Sequence, residues 1–371
     1  MNNNYNNKNT QNPPFRGLGG SQAPPSGGWE VSSLLRPNIR NLKPYSSARD
    51  EFSGSASVYL DANENPYDTG YNRYPDPYQM EVKKRIAEIK GTQTRQIFLG
   101  NGSDEPIDLL LRAFCNPGVD NVLAIEPSYG MYTVSAGIND VEVKKVLLSE
   151  NFELDSQNLL NAANKKTKLV FLCSPNNPSG NLLSKTEIIN ILGNFNGLVV
   201  VDEAYIDFAP GESFLPELEK HPNLVILQTF SKAWGLAGIR LGMAFASPEI
   251  IAVLNKIKFP YNINQLTQQR VMQSLQNVEE KETWVKTIIS ERAKLAEELK
   301  KLTFVQKVYP SDANFLLVKM NDARKKFEYL MNEGVIVRDR SKVALCENSL
   351  RITVGSPEEN RELIKKFESL K

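Results

Sequence analysis

The sequence predicts an α/β protein: a large unit built on a mostly parallel central sheet, followed by a smaller α+β unit. Three observations lead there. Apolar runs of strand length, "GLVVVDEAY" at 197–205 and "LVILQTFS" at 224–231, are nearly unbroken, as in strands covered by helices on both faces. Segments with helical apolar spacing alternate with such runs, the pattern of strands joined by crossover helices. The chain has 371 residues, more than one compact core usually serves.

In chain order, residues 1–30 are rich in Asn, Gly, Pro and Ser. Such a stretch cannot bury enough apolar surface to offset its ordering entropy, so it is expected to be a disordered tail. It has neither the apolar core of a signal peptide nor the Arg-rich pattern of a transit peptide. An N-terminal arm is expected at 31–70, the large domain at 71–275 and the small domain at 276–371. "MEVKKRIAEIKG" (80–91) reads as an amphipathic helix closed by Gly91. "IFLG" (97–100) is a short strand. "SDEPIDLLLRAFC" (103–115) has Ser103 as N-cap, two early acids and a helical apolar face. "NVLAIEP" (121–127), "VEVKKVLL" (141–148) and "KLVFLCSP" (168–175) are expected strands, and "SKTEIINILGNF" (184–195) a capped helix. Long helical patterns span about 248–276 and 278–302. "ANFLLVKM" (313–320), "VIVRDR" (335–340) and "SLRITVG" (349–355) read as strands, with helices near 322–333 and from about 357.

Composition narrows the chemistry. Lys+Arg is 44 against 43 Asp+Glu, so no basic excess points to nucleic acid. No run approaches 18 apolar residues, so no membrane span is expected. Cys115, Cys173 and Cys346 are far apart and odd in number, which suggests neither a metal site nor a disulfide framework and suits a cytoplasmic location. With His221 as the single histidine, proton transfer must fall to Lys, Tyr, Asp or Glu.

Sites in open α/β sheets form at the carboxyl ends of strands. Four groups lie there. Asp202 ends an apolar run, poised at a strand end; taken alone, a plain N-cap or metal-binding acid is an equally good reading. "SPNNPSG" (174–180) follows another run, and read plainly it is a turn. "GNGSDE" (100–105) puts the amides of Gly102 and Ser103 at a helix N-terminus, a natural anion site, although most such segments are only turns. "QTFSKAWGLAGIRLGMAFA" (228–246) carries Thr229, Ser231, Lys232 and Arg240 among small apolar residues, which argues for an enclosed lysine. Two hydroxyls, an arginine and a helix N-terminus can hold a phosphate. A neighbouring amine can form a Schiff base, and a carboxylate can keep a pyridine nitrogen protonated. Pyridoxal 5′-phosphate needs that combination.

The region from about 40 to 371 resembles the fold-type-I aminotransferases, and most closely the histidinol-phosphate aminotransferases. The resemblance rests on "KPYSSAR" (43–49), "LDANENPY" (60–67), "NRYPDP" (72–77), "GNGSDE", "PSYGMY" (127–132), "SPNNPSGN" (174–181), "VVDEAYIDF" (200–208), "TFSKAWGLAGIRLG" (229–242), "VRDRSK" (337–342) and "LRITVG" (350–355), all in the family's order. It implies that Lys232 holds the cofactor covalently and shuttles the substrate proton, and that Asp202 pairs with the pyridinium nitrogen. Tyr205 and Asn177 would bond the ring's phenolic oxygen, and Tyr129 would stack on its face. Gly102, Ser103, Ser231 and Arg240 would hold the phosphate with Thr229 in support, and Asp104 would also belong to the cofactor site. Tyr74 would reach the phosphate of the partner in a homodimer. Tyr45, Arg338, Arg351 and Asn177 would bind the substrate's anionic group. The implied reaction exchanges an amino group between L-histidinol phosphate and 2-oxoglutarate, giving imidazole acetol phosphate and L-glutamate, a step of histidine biosynthesis. An aromatic-amino-acid aminotransferase is the nearest alternative; a phosphothreonine decarboxylase or a non-catalytic cofactor-binding regulator ranks lower. Ser179 stands where the family often has threonine, and Ser103 where it often has alanine.

Overall fold

The computed structural model describes residues 30–46 and 56–370. Of the expected disordered tail at 1–30, all but Glu30 lies outside the described residues, as do residues 47–49 of "KPYSSAR".

The large sheet has seven strands: β1 (Ile97–Asn101), β2 (Asn121–Glu126), β3 (Glu142–Leu147), β4 (Thr167–Cys173), β5 (Leu198–Asp202), β6 (Leu224–Thr229) and β7 (Leu241–Ala246). Their order is β1-β7-β6-β5-β4-β2-β3. Strand β7 runs antiparallel to β1 and β6, and the other neighbours are parallel. The unbroken apolar runs have the predicted cause. Leu198 and Val200 of β5 enter one core cluster and Val199 and Val201 the other, so both faces of the sheet are covered.

Short helices α1 (Val31–Leu34) and α2 (Pro37–Arg40) lie on one face through Val31, Leu34, Leu35 and Ile39, and the Arg36 amide bonds the Ala113 carbonyl. The same face is covered by α4 (Asp104–Phe114), α5 (Met131–Ile138) and α8 (Pro248–Ile257). The other face takes α3 (Met80–Lys90), α6 (Ser156–Ala162), α7 (Lys185–Asn194) and α9 (Gln265–Leu275).

Three expectations need correction here. Strand β7 was unmarked in the sequence because Gly242, Ala244 and Ala246, poor strand formers, alternate with Leu241, Met243 and Phe245. Gly242 is obligatory there, since a Cβ would sit on the backbone of Gly102 and Ser103. The single helical pattern at 248–276 is two helices. Pro260 lacks an amide donor and biases Phe259 away from helical backbone, Tyr261 turns with φ 56°, and α9 restarts where Asn264 Oδ1 accepts from the Thr267 amide at 2.9 Å. Ser103 does not cap α4 with its side chain.

The smaller sheet is antiparallel, in the order β10-β11-β9-β8, from β8 (Val305–Val308), β9 (Phe315–Met320), β10 (Arg338–Asp339) and β11 (Ser349–Thr353). It packs with α10 (Val278–Lys300), α11 (Ala323–Asn332) and α12 (Pro357–Glu368) around Leu299, Val318, Leu330, Ile352 and Phe367. Of "VIVRDR" only Arg338 and Asp339 pair, because Gly334 and Val335 still bond back to α11. The two sheets meet beside the turn at 174–180. There the Asp312 amide bonds the Gly180 carbonyl at 2.7 Å, and a Cβ on Gly180, whose φ is +89°, would meet Ser311 Oγ at 2.5 Å.

Candidate active site

The parallel strands β4, β5 and β6 end side by side, and their carboxyl ends form the crevice that this topology provides. Asp202 is the last residue of β5, opposite Cys173. It is 2% exposed. Tyr132 Oη donates to its Oδ2 at 2.7 Å and the Ala204 amide to its Oδ1 at 3.1 Å. Burial pushes its pKa up to about 6, against the pull of those two hydrogen bonds. Tyr132 is itself buried, stacked on Phe171 with ring centroids 4.8 Å apart, and its hydroxyl is driven well above the usual tyrosine range, chiefly by burial and then by Asp202. Tyr132 stands in the quoted "PSYGMY" but received no role, since its partner lies 70 residues on.

Lys232 follows β6. The expectation of an enclosed lysine is corrected: its side chain is open to the cavity, and only Ala233 and Trp234 beside it are buried. The protein around the amine still desolvates it, and this lowers its pKa, with the nearby Arg351 and Arg240 charges adding and Asp202 and Asp104 opposing. Its Nζ lies 5.7 Å from the centroid of the Tyr205 ring.

The backbone between β1 and α4 forms a cup. Gly102 turns with φ +69°, and its amide donates to the Arg240 carbonyl at 2.9 Å. A Cβ at Gly102 would meet Arg240 Nη2 at 2.5 Å, so the missing side chain is the room the guanidinium uses. Arg240 itself has φ 56°, a left-handed turn that returns the chain into β7. Opposite stand Thr229 Oγ1 and Ser231 Oγ, 3.1 Å apart. Ser103 Oγ makes no hydrogen bond among the described residues and faces the same cavity. Asp104 lies between Arg240 Nη2 at 3.4 Å and Tyr129 Oη, which donates to it at 3.1 Å. Burial, then the Asp104 charge, raises the Tyr129 hydroxyl pKa.

Asn177 joins the two sheets. Its Nδ2 donates to Tyr205 Oη at 3.3 Å, and its Oδ1 accepts from Arg351 Nη1 at 2.6 Å. Phe315 of β9 holds both partners: its ring meets Tyr205 edge-on at 5.1 Å, and the Arg351 guanidinium lies 5.3 Å from its centroid. The smaller sheet thus closes one wall.

Gly102, Ser103, Asp104, Tyr129, Asn177, Asp202, Tyr205, Thr229, Ser231, Lys232 and Arg240 line one cavity of about 150 Å³, together with Cys173, Ala204 and Ala237, which sequence reasoning did not single out. Arg351 reaches it through Asn177, and Arg338 pairs with Arg351 across β10 and β11. The chain does not itself bring Tyr45 or Tyr74 there. Tyr45 is 73% exposed. Tyr74 is 53% exposed and stacks on Tyr261 at 4.5 Å, beside a second cavity of about 490 Å³.

The donor set fits pyridoxal 5′-phosphate. Helix α4 opens on the cavity with two hydroxyls and a guanidinium around a cradle that a Cβ would fill, as a phosphate requires. A buried carboxylate satisfied only by neutral donors awaits a cation, and an amine with a lowered pKa stands close by. Among the described residues no group of three or more His, Cys, Asp or Glu could hold a metal ion, and no helix is long and apolar enough to cross a membrane.

Comparison with known proteins gives concordant results. The family "Aminotransferase class I and II" matches residues 55–367. A histidinol-phosphate aminotransferase of Parabacteroides distasonis is 56% identical over 342 residues, covering 92% of this chain and 99% of that protein. The crystal structure of the histidinol-phosphate aminotransferase from Clostridium acetobutylicum superposes with a TM-score of 0.75 at 26% identity, over 81% of this chain and 91% of that one. That of the Sinorhizobium meliloti histidinol-phosphate aminotransferase, in complex with pyridoxal-5′-phosphate, gives 0.73 at 22% identity, over 81% and 84%, and so shares the fold. The chain belongs to the class I and II aminotransferases and, within them, to the histidinol-phosphate aminotransferases.

Proposed function

We propose that this chain binds pyridoxal 5′-phosphate at Lys232 and transfers the amino group between L-histidinol phosphate and 2-oxoglutarate. The observation that carries the reading is the meeting, in one cavity, of an amine with a lowered pKa and a buried carboxylate, with an arginine at the wall. When bound, the cofactor supplies an electron sink for the pair left behind by the substrate's Cα proton. Lys232 Nζ would hold the cofactor's aldehyde carbon and, once the substrate's own amine has displaced it there, would accept and return that proton as a free amine, work for which a lowered pKa prepares it. Asp202 would keep a proton at the ring nitrogen, and Tyr132 and the Ala204 amide fix the carboxylate for that role. Tyr205 and Asn177 would bond the ring's phenolic oxygen, and Tyr129 would cover the ring face. Gly102, Ser103, Ser231 and Arg240 would hold the phosphate with Thr229 in support and the α4 amides contributing their partial positive charge, while the Asp104 carboxylate would orient Arg240 and Tyr129. Arg351 and Arg338 receive the substrate anion, with Tyr45 closing over it. Both half-reactions present an anion there: a phosphate on one substrate, a carboxylate on the other.

The active form is a homodimer. Tyr71, Tyr74, Tyr67 and Phe259 are exposed, and Tyr74 and Tyr261 form a stacked pair at the surface. A second copy would cover these rings and bring Tyr74 to its phosphate cup. The test is amine exchange between histidinol phosphate and 2-oxoglutarate beside Lys232→Ala, with borohydride reduction and peptide mapping. The wild type should be modified at Lys232 and the variant should lose nearly all turnover. Undiminished turnover in the variant refutes the reading.

A further inference from the structure

The strands that carry the substrate-anion arginines hold a third. In β10 and the residue after it, side chains alternate, so Arg338 and Arg340 share one face and Asp339 takes the other, where it meets Arg324 at 3.5 Å. Arg338 lies directly across from Arg351 in the register, and the Arg340 amide continues the ladder by bonding the Ser349 carbonyl at 2.9 Å. Three guanidiniums therefore gather at one edge of the small sheet. Arg351 is bonded only to a neutral group, the Asn177 carbonyl. Arg338 and Arg340 make no ion pair among the described residues, and Arg340 Nε is buried with no hydrogen-bond partner.

Holding three like charges together, two of them half-buried, is costly without a counter-ion. The cost shows in Arg340, whose pKa falls through burial and through the charges of Arg351 and Arg338, while Tyr205 lies within its field. No Asp or Glu is among the leading charges that act on Arg340 or Arg351; the neighbouring Asp339 faces Arg324, and Asp202 is bonded by Tyr132. The natural counter-ion is a ligand. A carboxylate carries one charge and is served by one bidentate guanidinium. A phosphate monoester carries close to two and has three acceptor oxygens, enough to engage a third.

We infer that Arg340 is a substrate-binding residue that makes the anion pocket favour a phosphate monoester over a carboxylate. The inference rests on the aminotransferase reading above and deepens it: Arg351 serves both substrates, and Arg340 serves the phosphate.

The experiment uses the holoenzyme, with Arg340→Gln and Arg340→Lys. The two half-reactions are followed separately by the cofactor's absorbance, with histidinol phosphate or glutamate as amino donor, and inorganic phosphate is titrated as a competitive inhibitor. For Arg340→Gln, kcat/KM for histidinol phosphate should fall roughly 10- to 100-fold, mainly through KM, the loss expected for one charge-assisted hydrogen-bonding group. Glutamate should change less than about threefold, and the phosphate inhibition constant should rise in parallel with the histidinol phosphate KM. Arg340→Lys should recover part of the loss, since it keeps the charge without the fork. Equal losses with both donors, or wild-type constants with both, overturn the inference. If wild-type enzyme fails to turn over histidinol phosphate at all, the functional reading itself falls. Matching thermal midpoints of variant and wild type ensure that folding is not what the assay reads.

Discussion

Asp202→Asn should make the cofactor-free protein less sensitive to rising pH. The Asp202 carboxyl moves from an ordinary 3.8 to about 6 on folding, with burial as the main cause. An acid whose folded pKa lies above its unfolded one favours the fold while protonated, and that advantage is lost as the pH climbs through about 4 to 6. Across pH 4 to 7 the loss amounts to about 2 kcal/mol. Asparagine has the same shape and never ionises. It still accepts from Tyr132, but its amino group then opposes the Ala204 amide, a constant penalty of about 1 kcal/mol. That offset cancels when two pH values are compared. Urea unfolding of cofactor-free wild type and variant at pH 4 and pH 7 isolates the effect: the variant should gain about 2 kcal/mol on the wild type between the two. A gap that stays constant, or moves toward the wild type, would refute the argument that Asp202 is held at a cost to stability. Cofactor binding should move the other way, since the variant has no charge to place against the ring nitrogen.

Three further outcomes follow. Gly102→Ala should fold, because its clash is with the free end of Arg240, but the left-handed φ costs about 1 kcal/mol and Arg240 must leave the cup, so cofactor affinity measured by fluorescence should drop roughly 10-fold or more. Tyr132→Phe removes a buried donor to a carboxylate; the Asp202 pKa should rise, and carboxyl infrared titration of the cofactor-free protein should detect the shift. Arg351→Ala should weaken both half-reactions by roughly 10-fold or more in kcat/KM, and an effect on one alone would mean that the two anions bind at separate places.

The parts of the fold legible in the sequence were those where burial leaves a periodic trace. Strands β4, β5 and β6 stand out because both faces are covered, and Asp202 stands out because it interrupts such a run at its end. Strand β7 did not, because a glycine required by close backbone approach at position 242 and the alanines at 244 and 246 leave no β-branched residue to mark it. Helices α5 and α6 were missed for shortness and mixed composition. In the site, the fourteen lining residues include eleven that motif and chemistry had indicated. Tyr132, Phe315 and Arg340 escaped because each acts through a partner distant in the chain or through register between strands, which a linear reading does not contain.

A single carboxamide ties Tyr205 to Arg351. Asn177 has one oxygen and one amino group to offer, and their directions are rigidly opposed. An anion that draws Arg351 away must free that oxygen, and any rotation this allows also swings the donor aimed at Tyr205. Occupancy beside Arg351 and the hydrogen bond received by the Tyr205 hydroxyl are therefore two readings of one torsion angle.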